Sequence, residues 1–121
     1  MKTSEMLEKI LEDLKLPGGI EASLVASRDG LLIFSNIDLK EHAQTFAAMS
    51  ATMLGAAETA TLELRKGIPE RIIVESDKGK IIVTGAGPKG LLVVLTEPNA
   101  SLGIILIELA KVSEKIREVL G

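Results

Sequence analysis

The segment from Asp38 to Lys66 limits what this chain can fold into more than any other. It reads as one long helix, rich in Ala, Met and Leu. Between Glu41 and Glu58 no side chain carries a formal charge while His42 is neutral. A helix that lies on a sheet with one face in water needs a polar stripe. Here that stripe is thin: Gln44, Thr45, Ser50, Thr52 and Thr59. Ala43, Ala47, Ala51, Gly55 and Thr59 recur at every fourth position. They form a ridge of small side chains over which another backbone can approach closely. Phe46, Met49 and Met53 lie off the ridge and supply bulk. Two arrangements fit. The ridge can sit flat on its own sheet, or the helix can have two buried faces, one on the sheet and one on a partner. Met adapts readily at surfaces of the second kind.

The flanking sequence supplies the sheet. Leu7, Ile10, Leu11 and Leu14 recur at helical spacing, with Thr3 or Ser4 placed to cap and Pro17-Gly18-Gly19 to stop the helix. Strand-like runs cover Ala22 to Ser27 and Leu31 to Ser35, joined by a turn at Arg28-Asp29-Gly30. Gly67 fits as the C-terminal cap of the central helix. Ile68 to Asp77, Lys80 to Gly85 and Gly90 to Thr96 read as further strands, and Leu102, Ile105, Leu106, Leu109, Val112, Ile116 and Val119 mark a last helix. The order is α-β-β-α-β-β-β-α. Short turns make neighbouring strands antiparallel. Leu91 to Leu95 and Leu31 to Phe34 are apolar on both faces, so the sheet must be covered on both sides. The expectation is an α/β fold of the α+β type: a three-layer α/β/α sandwich around a five-stranded antiparallel sheet, one domain over residues 1–121.

Composition excludes several chemistries. The 121 residues contain no Cys, Trp or Tyr, one His and two Phe. That leaves no disulfide, no thiolate zinc site, no cysteine nucleophile, and little to stack on bases. A formal charge of −3 argues against nucleic acid. Met1 to Glu8 lacks the order of a signal peptide, and no run reaches the length of a membrane span. The expectation is a cytoplasmic protein, not an enzyme, with no cofactor and no metal.

Two motifs are decoys on this reading. Gly85-Ala86-Gly87-Pro88-Lys89-Gly90 matches GxGxxG. The motif holds a pyrophosphate only where a strand leads into a helix, and here a strand follows. His42 beside Glu41 has no nucleophile in a recognisable context and reads as an ordinary first-turn residue. Asn99-Ala100-Ser101 has the form of a glycosylation sequon but reads as a helix start.

The strand from Ile68 to Asp77 carries Pro69, which fits an edge. Two copies paired antiparallel about Ile73 place Arg71 opposite Glu75 of the other copy, and the reverse. The same charges also suit an unpaired, protected edge.

The element order, the hairpin Leu24-Val25-Ala26-Ser27-Arg28-Asp29-Gly30-Leu31-Leu32-Ile33, the Ala/Met-rich helix, Leu91-Leu92-Val93-Val94-Leu95 and Ala100-Ser101-Leu102-Gly103 resemble the Roadblock family. That family includes dynein light chains, the bacterial gliding-motility GTPase regulator and lysosomal scaffold subunits. The resemblance implies a homodimer, or a heterodimer with a paralogous chain. Central helices would pack side by side and third strands join the two sheets into one. It also implies regulation or scaffolding of a small Ras-like GTPase. With the ridge and the edge, it gives an expected dimer interface of Ala47, Ala51, Gly55, Arg71, Ile73 and Glu75. Carried over by position, the partner surface is Gln44, Ala48, Thr52, Glu58, Thr59 and Leu62. The alternative is a profilin-like or PAS-like domain sensing a small ligand, with Ser23, Ser35 and Thr84 as its polar groups.

Overall fold

The computed structural model describes residues 2–15, 18–37 and 40–121. The elements are α1 (Thr3–Asp13), β1 (Ile20–Ala26), β2 (Leu32–Asn36), α2 (Lys40–Glu63), β3 (Arg71–Ser76), β4 (Gly79–Gly85), β5 (Leu91–Thr96) and α3 (Leu102–Leu120). The strands form one five-stranded sheet in the order β2-β1-β5-β4-β3, antiparallel at every pairing. This is the expected α/β three-layer fold.

Alternation along each strand builds a core on either side of the sheet. Val25, Ile82, Leu92 and Val94 point to one side, where Leu7, Leu11 and Leu14 from the N-terminal segment and Ile105, Leu109, Val112 and Ile116 of α3 cover them. Leu24, Ala26, Val83, Leu91 and Val93 point to the other, where Ala47 and Leu54 of α2 meet them. The register Leu24↔Val93↔Val83 keeps that second set in one row. β2 and β3 are left as the two edges.

Several boundaries differ from the sequence reading. β3 starts at Arg71 rather than Ile68. Pro69 lacks an amide to donate to a ladder, and the carbonyl of Glu70 instead accepts the Thr84 hydroxyl at 3.2 Å. Leu16, Pro17, Asp38 and Leu39 lie outside the described residues. The α1 N-cap is Lys2, with no side-chain cap from Thr3 or Ser4, and Ser101 caps α3 without a side-chain bond. α2 ends at Glu63, and its cap is Arg65 rather than Gly67. Arg65 has φ 58°, its amide donates to Leu62 O at 3.1 Å, and the Lys66 amide donates to Thr61 O at 2.7 Å. That pair of bonds is a Schellman motif with arginine in the left-handed position usually held by glycine.

Candidate functional site

The faces of α2 decide what the protein can offer a partner. Ala43, Ala47, Ser50 and Leu54 point into the sheet and are buried. Ala47 is fully buried against its own sheet, so the expectation that it lies at a dimer interface is corrected. The small-residue ridge climbs from that face onto one flank. There it meets a backbone of its own chain: a Cβ on Gly30 would lie 3.1 Å from Ala48 Cα and 3.5 Å from Ala51 Cβ. The β1–β2 turn therefore occupies the close approach that the ridge permits. Glu58 on this flank lies 3.9 Å from Arg28, whose guanidinium also donates to Gly87 O at 2.8 and 3.1 Å. One arginine thus ties the β1–β2 turn, the β4–β5 loop and α2 together.

Gly55, Thr52, Thr59 and Leu62 are exposed, and Thr52 and Thr59 turn their hydroxyls back to the carbonyls of Ala48 and Gly55 at 2.9 and 3.1 Å. Gln44 is exposed near β2.

The opposite flank is open and apolar. Phe46, Met49 and Met53 overhang Ile81 of β4 and frame two adjoining grooves of about 380 and 510 Å³. Met49 is 59% exposed. The first groove reaches Leu95 and Ala22 and has His42 and Thr45 at its rim. Sequence reading treated these residues as bulk off the ridge. Their spacing of i, i+3 and i+7 was the available signal for a stripe of their own.

The β3 edge adjoins this flank. The turn Asp77-Lys78 has two residues, so Ser76 and Gly79 form its closing hydrogen-bonded pair. Even-numbered residues of β3 then face β4, and the Glu70 carbonyl bonded to Thr84 fits that parity. Arg71, Ile73 and Glu75 are left with their main-chain groups at the free edge. Their side chains project on the α3 side, where Ile73 packs on the core. Arg71 pairs with Glu70 at 3.1 Å, and Glu75 lies opposite Lys80 of β4.

The remaining candidates do not converge. Ser23 and Thr84 project to the α1/α3 side and Ser35 to the α2 side. Gly85–Gly90 is a hairpin loop between β4 and β5, with Gly87 at φ 83°. His42 is exposed 3.9 Å from Glu41. On the outer face of α3, hydrogen bonding to Arg117 holds the Glu114 carboxyl below the usual range. Among the described residues no group of three or more His, Cys, Asp or Glu is placed to hold a metal, and no helix is long and apolar enough to cross a membrane.

Comparison with known proteins agrees with this architecture. The family model of the Roadblock/LC7 domain matches residues 6–96. An uncharacterized protein of Methanocaldococcus jannaschii is 36% identical over 112 residues, 93% of this chain and 97% of that protein. The gliding protein MglB of Thermus thermophilus superposes with a TM-score of 0.87 at 20% identity, over 98% of this chain and 91% of that one. A Roadblock/LC7 domain of Streptomyces avermitilis gives 0.84 at 20% identity, over 97% and 96%. Fold, family model and relatives coincide, and the chain belongs to the Roadblock/LC7 family.

Proposed function

We propose that the chain is a non-enzymatic, cytoplasmic interaction module of residues 1–121. It forms a homodimer, or pairs with a paralogous chain, and in that state binds and regulates or scaffolds a small Ras-like GTPase. One observation carries the reading: the free β3 edge and the uncharged Phe46–Met49–Met53 flank of α2 adjoin each other across Ile81. A two-fold axis at Ile73 pairs Arg71 with Glu75 of the second copy and turns the two apolar flanks toward each other. The interface surface on α2 is then Phe46, Met49 and Met53 rather than the ridge. Gly55, Thr59 and Leu62 stay exposed for the GTPase, with Thr52 at the border where it also lines the groove of the interface flank. A related protein of the same fold, MglB, has been described in a tetrameric arrangement.

Mass measurement in solution tests the first half. A dimer is expected at tens of micromolar, as about 800 Å² of largely apolar surface per partner holds a standard interface together. Met49→Glu with Met53→Glu should give monomers, and a dimer that survives them excludes this flank. The second half is tested by titration with Ras-like GTPases of the same genome, loaded with GDP or a GTP analogue. Binding that prefers one nucleotide state is expected; no binding in either state removes the GTPase role.

The small-ligand reading keeps one observation in its favour, the 380 Å³ apolar groove. Native mass spectrometry of freshly purified protein showing a retained small molecule would favour it.

A further inference from the structure

Hydroperoxides attack two kinds of side chain under mild conditions, cysteine and methionine. This chain has no Cys and four methionines: Met1, Met6, Met49 and Met53. Met1 lies outside the described residues. Met6 in α1 and Met53 in α2 are half-buried, whereas Met49 is 59% exposed. Met49 also lines both apolar grooves, together with Phe46 and Ile81. Among the described residues, the methionine most open to water therefore stands within the flank that the proposed dimer uses. Hydrogen-bond donors are sparse there. His42 and Thr45 stand at the rim of one groove. Thr52 stands beside the other, and its hydroxyl already donates to the Ala48 carbonyl at 2.9 Å.

We propose that Met49 is an oxidation site whose sulfoxide takes the chain from dimer to monomer. The second step rests on the dimer reading above. A hydroperoxide delivers one oxygen to Sδ. Its O–O bond breaks, an S–O bond forms, and sulfur gives up two electrons. The proton of the transferred oxygen passes to the departing one, which leaves as water or an alcohol. The thioether is apolar and flexible, so the reduced flank packs on another apolar surface. The sulfoxide oxygen is a strong acceptor. In a closed interface it meets few donors, and a two-fold axis repeats the loss in the second copy. Attack falls on the monomer, in which Met49 is open, so association and oxidation oppose each other. Methionine sulfoxide reductases, one for each sulfoxide epimer, remove the oxygen as water at the expense of two thiols and restore the flank.

The probe is hydrogen peroxide, added to the full chain at protein concentrations from well below to well above the dimer Kd. Peptide mass mapping follows the gain of oxygen at each methionine, and sedimentation follows assembly. Met49 should gain oxygen faster than Met6 and Met53 in dilute protein, and more slowly as the dimer forms. The Met49 sulfoxide should dimerise about a hundredfold more weakly with far-UV dichroism unchanged, and the reductases with a dithiol should restore the parent affinity. Met49→Leu keeps the apolar volume. It should dimerise like the parent and hold its affinity at the peroxide dose that oxidises Met49. Met49→Gln sets a polar group at the site and should weaken the dimer with no peroxide present. Oxidation of Met6 or Met53 ahead of Met49 in dilute protein overturns the site, as does equal loss of affinity by Met49→Leu. A dimer that takes up oxygen at Met49 and keeps its affinity overturns the switch and leaves the dimer reading standing. A chain that is monomeric before peroxide is added overturns the dimer reading, and the switch with it.

Discussion

The two edges of this sheet solve one problem in opposite ways. β3 keeps Arg71 and Glu75 at its free side, with Pro69 just ahead of the strand. Those charges repel a random strand and, in the dimer proposed above, are complementary to their own copy. β2 has no charge between Gly30 and Asp38, and its bulge aims Ile33 beside a groove. One sheet thus carries one charged edge and one uncharged edge, and α2 runs between them with its bulk turned toward the first. An edge's partner is set by which charges it carries and where they fall, not by its being unpaired.

The sharpest way to break this comparison is to reverse one charge on β3. Arg71→Glu sets like charges opposite each other twice across the proposed two-fold. With each cross-strand pair changing from attraction to repulsion, the loss is about 2–3 kcal/mol, roughly a hundredfold in Kd. Arg71→Glu with Glu75→Arg should recover much of it. Recovery is incomplete because Lys80 stands opposite residue 75 within the protomer. Sedimentation of the three proteins decides it. A single variant as dimeric as the parent removes β3 from the interface.

Next in size is the turn that feeds β2. Gly30 has φ 92° and sits against Ala48 Cα. Gly30→Ala adds the left-handed penalty to a Cβ forced onto helix backbone, and should cost about 2 kcal/mol in urea unfolding. The loss should come with altered β2 amide shifts and an intact β3. A variant as stable as the parent would mean that the turn does not rest on the ridge.

This turn also shows where sequence reading stopped. Spacing alone located the elements, because apolar period and turn residues are local. It also found the small ridge and understood its physics, an invitation to close approach. It could not say which backbone accepts, because Gly30 and Ala48 are brought together only by tertiary packing. The edge status of β3 was legible from Pro69. The Met49–Met53 flank was missed because residues lying off a ridge look like filler until the sheet beneath them is seen to end at an open groove. Arg65 was missed because propensity points to glycine in a left-handed cap, and Gly67 stood two residues away.

Smaller effects come from the helix between the edges. Ser50 is fully buried, and its hydroxyl has no hydrogen-bond partner. Replacing it with alanine removes an unsatisfied polar group at the cost of one small void, so Ser50→Ala should be neutral or stabilising by up to about 1 kcal/mol. A clear loss of stability would mean that the hydroxyl is bonded in solution, for instance to the Phe46 carbonyl one turn earlier.

The smallest effect returns to β3 through the connection that delivers it. β2 is entered from a left-handed glycine, Gly30, and the connection to β3 holds two left-handed residues, Arg65 at φ 58° and Gly67 at φ 84°. Arginine pays a conformational cost at φ 58° that glycine would not, while glycine adds entropy to the unfolded chain. The net for Arg65→Gly should be a gain of about 0.5–1 kcal/mol. It is best measured in the Arg71→Glu background, where dimerisation does not add to the unfolding free energy. Dimer affinity measured in the otherwise parental chain then separates two roles for this arginine. If stability rises and affinity holds, Arg65 is a tolerated misfit. If stability rises and affinity falls, the strained cap sets the angle at which β3 reaches its copy, and the selectivity of that edge begins before the strand does.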